Sequence, residues 1–429
     1  MLKEGELLTS ESGVQVTVGK VLGTGTQGAV HEGRTGDGHA VAIKWYQPAF
    51  QQQDLRDSIT LLVQQKAPST HFLWPTDIVT KGSHFGYVMP LRPPNYAGLT
   101  KVLNRKVSIR PRELVRAGRH MVAAFKALQA KGLFYCDISD NNLFVNPDTG
   151  DILICDNDNV GSSRGSTRVL GTPRFMAPEI VRGEKRPSAL TDSFSMAVLL
   201  FLLLMNDHPL QGQAEAKIHA FDAAAMRKIY GTDPIFIFDP VNKNNRPVPG
   251  IHDNAPIFWG LYPPAIREIF TRVFTEGIHE PGGRPSFGEW EAALAATEDV
   301  VVNCYQCNRE NFYQTCDATH TCWGCQARLQ IPMKLVIDGR RVVILNDDTK
   351  LYSHHLTKRG TVTMSDPPQA EVAKHPTRGF LGLKNLSATQ WYMSSASGAA
   401  ARVIEPGQSI KLAPGTHLDF GTISATVEA

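Results

Sequence analysis

The sequence predicts an α+β chain made of a small β-rich lobe, a larger helical lobe, a short metal knuckle and an all-β tail. Three observations carry this prediction. Gly-punctuated runs of strand-forming residues fill positions 14–91, apolar residues at helical spacing dominate 95–297, and five of the seven cysteines fall between Cys304 and Cys325. In the first region VQVTVGKVLG and HAVAIKWY read as strands, and Leu55, Ile59, Leu62 and Val63 mark one helix over 54–65. Arg92-Pro93-Pro94 breaks that texture. Helices are expected over 112–130, 190–205, 265–274 and 287–297. From 332 onward the chain reads as short strands with turns at Asp338-Gly339 and Pro414-Gly415, and no helix is expected there.

Composition narrows the class. A chain of 429 residues suggests two or three domains. With 42% hydrophobic and 20% charged residues it is expected to fold throughout. Lys and Arg number 44 against 41 Asp and Glu, a net +3, which argues against nucleic acid or an anionic membrane as the main partner. The most apolar run, MAVLLFLLLM from Met196 to Met205, is half of what a membrane span needs and reads as a buried helix. The opening residues MLKEGELLTSESG carry early acids and no apolar run, so no secretory leader is expected. Clustered cysteines suit a metal site in a reducing compartment, and the expected address is the cytoplasm.

Two clusters carry chemistry. Residues 22–30, LGTGTQGAV, space Gly23, Gly25 and Gly28 as G-x-G-x-x-G with Val30 behind them. Glycines let backbone amides approach phosphates, although three in nine residues also suit a plain hairpin turn. Strand-like flanks argue against a Rossmann turn, which runs from strand into helix. Lys44 ends the apolar strand Val41-Ala42-Ile43-Lys44. Burying it requires an anion, such as ATP phosphates, and an edge-strand lysine facing water is the other reading. The second cluster decides between them. In FYCDISDNNLFV, Asp137 and Asn142 are five apart in a polar turn, and Asp156 ends the strand-like run from Asp151. One aspartate able to accept a hydroxyl proton, with an Asn and a second Asp able to hold Mg²⁺, is the set that phosphoryl transfer requires.

Further on come GTPRFMAPE at 171–179, the Thr191-Asp192-Ser193 start of an apolar helix and Gly283-Arg284-Pro285. With these landmarks in order, residues 14–297 resemble the eukaryotic-like protein kinases. The resemblance implies a bilobal protein-kinase-like fold, with a β-rich N-lobe at 14–91 and a helical C-lobe at 92–297. It implies that Gly23, Gly25, Gly28, Val30, Ala42, Lys44, Met89 and Leu91 line the ATP site, with Met89 as gatekeeper and Pro90 to Arg92 as hinge. Asp137 would be the catalytic base, and Asn142 and Asp156 would hold Mg²⁺ or Mn²⁺. Structural roles fall to Asp192, bracing the catalytic loop, and to Glu179 and Arg284 as a buried ion pair.

Four departures stand out. Tyr135-Cys136-Asp137 replaces H-R-D, so no arginine waits for a phosphorylated activation loop. Ser139 stands where these kinases usually place a lysine, which is closer to the RIO-type loop. The metal triplet is Asp156-Asn157-Asp158, and Asp158 is expected to be a solvated turn residue more than an outer-shell ligand. No Glu occurs between Trp45 and Arg112, so the helix offers Lys44 only Asp54 and the better-aligned Asp57; the other readings are that a Gln substitutes, or that the pair is absent and both aspartates are exposed helix charges. Ser162, Ser163, Ser166, Thr167 and Thr172 lie among arginines and are candidate phosphorylation sites, with Thr172 also a peptide-positioning residue by resemblance. Cys136 and Cys155 read as small buried hydrophobes.

The segment 301–328 carries Cys304-x2-Cys307 and Cys322-x2-Cys325, two turns that can present four thiolates to one structural Zn²⁺. Cys316 and His320 lie between them as lesser choices. So short a segment lacks a core, so metal would supply its folding energy. The tail at 332–429 has a hairpin at Asp338-Gly339, and EPGQSIKLAPGTHLDFG resembles the last strands of a forkhead-associated (FHA) β-sandwich. Its phosphothreonine-binding residues have only loose counterparts in Arg340 and Ser353-His354-His355. The combination resembles bacterial kinases encoded beside phosphatases and von Willebrand factor A proteins in stress clusters, including tellurite resistance. The expected function is an ATP/Mg²⁺-dependent Ser/Thr protein kinase acting on protein substrates, with autophosphorylation. The rivals are a pseudokinase scaffold that binds through its tail and a RIO-like ATPase.

Overall fold

The computed structural model describes residues 2–162, 170–313, 320–358, 364, 366–394 and 401–429. Six strands close a barrel at the N-terminal end: β1 (Leu7–Ser10), β2 (Gln15–Thr24), β3 (Gly28–Thr35), β4 (Ala40–Tyr46), β5 (Asp77–Lys81) and β6 (His84–Pro90), in the order β1-β2-β3-β4-β6-β5. The helix α1 (Gln53–Gln65) lies between β4 and β5 in the chain. Alternation along β4 sorts its side chains. Ile43 and Trp45 join one apolar cluster with Val16, Val18 and Val88, whereas Ala42 and Tyr46 join another with Leu55 and Ile59 of α1. Lys44 shares the second face. The lobe begins earlier than position 14, because Leu7–Ser10 pairs with both β2 and β5. A four-residue strand is too short to show a period in sequence.

A larger helical lobe follows β7 (Ala97–Gly98) and α2 (Leu99–Leu103). It contains α3 (Pro111–Ala130), the short strands β8 (Leu133–Phe134), β9 (Leu143–Val145), β10 (Ile152–Ile154) and β11 (Gly161–Ser162), then α4 (Pro178–Val181) and α5 (Ala189–Met205). The apolar run is α5, buried on all sides at the centre of the main core. Its start is a reciprocal cap between Ser188 and Thr191, and left-handed Asn206 ends it. Among the described residues no helix is long and apolar enough to cross a membrane. The helices Pro264–Phe274 and Phe287–Asp299 complete the lobe where sequence spacing expects them.

The cysteine segment opens with the hairpin Val301–Asn303/Glu310–Phe312. It is not a free knuckle, since Val301 and Phe312 enter the helical-lobe core and Phe312 packs 4.7 Å from the Tyr262 ring. The remainder forms two antiparallel sheets. Six strands run in the order Arg341–Ile344, Lys334–Ile337, Ser424–Glu428, His417–Asp419, Trp391–Ser394 and Arg402–Ile404. Four run in the order Lys350–Leu351, Ala370–Lys374, Leu381–Asn385 and Ser409–Lys411. Leu335, Leu383, Trp391, Ile410 and Leu418 from both sheets share one core. Contrary to expectation this region also holds a short helix, Ser353–Leu356. It docks on the helical lobe, where His355 Nε2 meets Asp299 at 3.0 Å, and Arg112 reaches Asp348 at 2.5 Å. A single turn stabilised by contacts outside itself leaves no helical period to read.

Candidate active site

The cleft between the lobes has an apolar wall. Ala42 pairs with Met89 across β4 and β6, and both pack with Leu153 and with half-buried Val30 and Leu91. The Gly-rich segment is the β2–β3 hairpin, closed by Gly25 N donating to Gly28 O at 2.8 Å. Its glycines divide. A Cβ at Gly23 or Gly25 would meet nothing within 4 Å, so no neighbouring group crowds the chain there. A Cβ at Gly28 would lie 2.1 Å from the Trp45 carbonyl, so strand pairing itself demands that glycine.

Lys44 is 6% exposed and does not pair with α1. Its Nζ donates to Asp156 and to both oxygens of Asp158, at 2.9 and 2.7 Å. Tyr46, two residues along the same strand face, donates its hydroxyl to Asp158. Asp57 points elsewhere: it is exposed and accepts from Gln53 at 2.6 Å. This corrects two expectations, since Asp57 is not the lysine's partner and Asp158 is not a solvated turn residue. The reason is geometric. The face of α1 toward the lobe is Leu55, Ile59 and Leu62, whereas the turn Asn157–Asn159 enters from the other lobe. Asp156 adopts left-handed φ 59, and buried Asn157 ties the turn to the carbonyls of Leu73 and Ile154 at 2.8 and 3.1 Å. The signal available in sequence was the i, i+2 pair Lys44/Tyr46 facing the i, i+2 pair Asp156/Asp158.

Burial works against the Lys44 charge, but Asp158 and then Asp156 outweigh it and raise its pKa to about 12. Burial likewise opposes ionisation of Asp158, and the Lys44 contacts overcome it and hold its carboxyl below the usual value. Asp156 moves the other way, raised by burial and by the Asp158 charge. Burial pushes the Cys155 thiol to about 12 and the Cys136 thiol higher, so neither is a ready nucleophile.

Asp137 sits half-buried in the turn between β8 and β9. Thr172 donates to its Oδ1 at 2.7 Å, and Asn142 Nδ2 reaches its backbone carbonyl at 3.0 Å and its Oδ2 at 3.4 Å. The Thr172 hydroxyl is thus occupied by Asp137. Ser139 is 3% exposed and turned into the fold. Cys155 N donates to Asn142 O at 3.0 Å, which ties the Asp137–Asn142 turn to the segment carrying Asp156. Asp192 accepts the backbone amides of Tyr135 and Cys136, and burial raises its pKa to about 7. Arg284 grips Glu179 with two 2.9 Å bonds. Ser162 lies half-buried in β11 against Leu133, while Ser163, Ser166 and Thr167 lie outside the described residues.

The donor sets fit their metals. Asn142 turns its amide nitrogen to Asp137, and its oxygen with the Asp156 carboxylate makes an all-oxygen donor pair of the kind that suits a hard divalent cation. Cys304, Cys307, Cys322 and Cys325 bring their sulfurs within 4.8 Å of one another, with two pairs at 3.6 Å. That is close to the edge of about 3.8 Å that 2.3 Å Zn–S bonds give a tetrahedron. His320 packs on the Tyr313 ring instead, and Cys316 lies outside the described residues.

Comparison with known families matches the protein kinase domain over residues 16–256, more than half of the chain. CBL-interacting serine/threonine-protein kinase 16 of Arabidopsis thaliana is 24% identical, over 44% of this chain and 43% of its own length. NUAK family SNF1-like kinase 2 of Rattus norvegicus is 26% identical, over 63% of this chain and 44% of its own. The bacterial serine/threonine-protein kinase PkaB of Streptomyces coelicolor is 26% identical, over 47% of this chain and 51% of its own. The chain thus spans about half or less of these relatives. Joined to the cleft geometry, the match means that this chain belongs to the protein kinase domain family.

Proposed function

We propose that the chain is an ATP- and Mg²⁺- or Mn²⁺-dependent protein kinase that transfers the γ-phosphate to serine and threonine hydroxyls, including its own. The observation that carries this is the meeting of Lys44, Asp137, Asn142 and Asp156 in one cleft beside an apolar wall of adenine-compatible character. Lys44 offers its ammonium to phosphate oxygens, and the β2–β3 hairpin, uncrowded at Gly23 and Gly25, covers them. Asp137 receives the acceptor hydroxyl; Thr172 on one carboxylate oxygen and Asn142 near the other fix the direction of that contact. A divalent cation, when bound to Asn142 and Asp156, neutralises phosphate charge.

The same reading gives the four-cysteine site a structural zinc and the C-terminal sheets an FHA-like protein-binding role. Its setting is a cytoplasmic bacterial stress response with a partner phosphatase and a von Willebrand factor A protein. The test is intact mass after incubation with ATP and Mg²⁺, beside Asp137→Ala. Phosphate gained only by the wild type supports the kinase. No gain together with no nucleotide binding turns the reading to a scaffold.

A further inference from the structure

We propose that Asp158 is the residue that positions Lys44 for nucleotide, in place of an acid on α1. Alignment of the phosphate-binding lysine then depends on ion pairs from the Asp156–Asp158 turn and not on one from α1. The inference rests on the kinase reading of the cleft and adds a residue to it.

Two aspartates touch Lys44, and their surroundings divide the work. The Asp158 side chain is 1% exposed, while that of Asp156 is 34% exposed. Both Asp158 oxygens are occupied by Lys44, and one also takes the Tyr46 hydroxyl. A cation could reach Asp158 only by displacing the ammonium, so Asp158 is poorly suited to hold metal. Asp156 touches Lys44 through one oxygen and stays open to the cleft. Asp156 is therefore free to turn to a cation while Asp158 keeps the lysine in place. A buried bond between charged groups that also accepts a phenol has the strength for this.

The turn lies beside α1 but takes its polar anchors from other segments. Asn157 is fully buried and bonded to the carbonyls of Leu73 and Ile154, so Asp158 projects from a backbone pinned on both sides. The helix, in contrast, offers Lys44 only leucines and an isoleucine on its buried face. A shift of α1 would slide apolar surface past the site without breaking an ion pair. Asp158 acts through Lys44 and makes no contact that calls for a role of its own in chemistry.

The test uses the full chain and a fluorescent ADP without divalent cation, which reads the lysine without the metal. The variants are Lys44→Ala, Asp158→Asn, the double variant and Asp57→Asn, with melting curves and initial rates measured alongside. We expect Asp158→Asn to weaken binding about tenfold, as Lys44→Ala does, and the double variant to lose no more than about twofold beyond Lys44→Ala. Asp57→Asn should bind as wild type. Should Asp158→Asn not fold, Tyr46→Phe removes one bond to Asp158 and should weaken binding about threefold, again only when Lys44 is present. Wild-type affinity in Asp158→Asn, losses that multiply in the double variant, or a loss in Asp57→Asn overturns the inference. If the wild type binds nucleotide and shows this pattern but transfers no phosphate, the kinase reading fails alone. If the wild type transfers phosphate and Asp158→Asn does so with unchanged KM, the positioning role fails alone. A wild type that binds no nucleotide overturns both.

Discussion

Replacing Glu179 with alanine should remove a large part of the stability of the helical lobe. The Arg284 guanidinium makes four bonds: two to Glu179, one to the Gly277 carbonyl at 2.8 Å and one to the Leu190 carbonyl at 2.9 Å. It lies over the Phe194 ring at 5.0 Å, and the paired side chains are 1% and 6% exposed. Without the carboxylate, a charge remains in the core with two neutral carbonyls for company. Breaking such a pair costs about 3–5 kcal/mol. At about 2–4 °C per kcal/mol for a domain of this size, Tm should fall by about 6–20 °C. The exposed pair Arg56–Glu11, at 2.6 Å and 37% and 42% exposed, is the internal control. Arg56→Ala should cost under about 1 kcal/mol, because water already solvates both charges. Calorimetry on Glu179→Ala, Arg284→Met and the double variant reads the outcome. The double variant should be less damaged than the sum of the singles, since it leaves no orphan charge. Glu179 belongs to the same stretch as Thr172, so the loss should also loosen the hydroxyl on Asp137 and lower activity at temperatures where the chain is still folded. A Glu179→Ala loss no larger than that of Arg56→Ala, or strict additivity in the cycle, would refute burial as the source of the effect.

Gly28→Ala should lower stability by about 1–3 kcal/mol and weaken nucleotide binding, because its Cβ meets the Trp45 carbonyl, whereas Gly25→Ala enters open space and should melt as wild type. Leu200→Ala, in the centre of α5 and fully buried, should cost about 2–5 kcal/mol by urea titration. Burial, followed by the Arg174 charge, lowers the His208 pKa from 6.5 to about 3, and its ring bridges Arg174 O and Leu210 N. The folded state therefore binds fewer protons than the unfolded one in that window, so the stability from this group is full above pH 6.5 and lost as pH falls toward 3. His208→Gln should flatten the acid limb of a stability profile; an unchanged slope counts against the assignment. Thiol modification under a zinc indicator should release about one zinc per chain, and Cys307→Ser should release none and unfold the hairpin at Val301–Asn303.

The longer helices were legible in the sequence because period and punctuation are local properties. Each of the four longer helices of the helical lobe was found to within two residues, since 3.6-residue spacing and caps such as Ser188 and Ser286 act within one turn of chain. The Asp338-Gly339 hairpin was equally plain, because both residues take positive φ there. The Leu7–Ser10 strand and the Ser353–Leu356 helix were not, being too short to carry a period and stabilised by what they touch.

At the site the same division holds. Sequence by itself determined which residue types were at hand: a lysine on a strand, an Asp and an Asn five apart, an Asp at a strand end, and four cysteines in paired turns. It also determined that α1 lacked a glutamate. Which acid met Lys44 was decided only by the tertiary structure, because Asp57 and Asp158 are the same residue type and differ in where the folded backbone points them. Asp158 lies 114 residues from Lys44 in the chain, and a left-handed residue at Asp156 with a buried amide at Asn157 turns it inward. No spacing rule reaches across that distance. Burial did the rest, since an ammonium excluded from water takes whichever carboxylate the folded backbone has already fixed beside it.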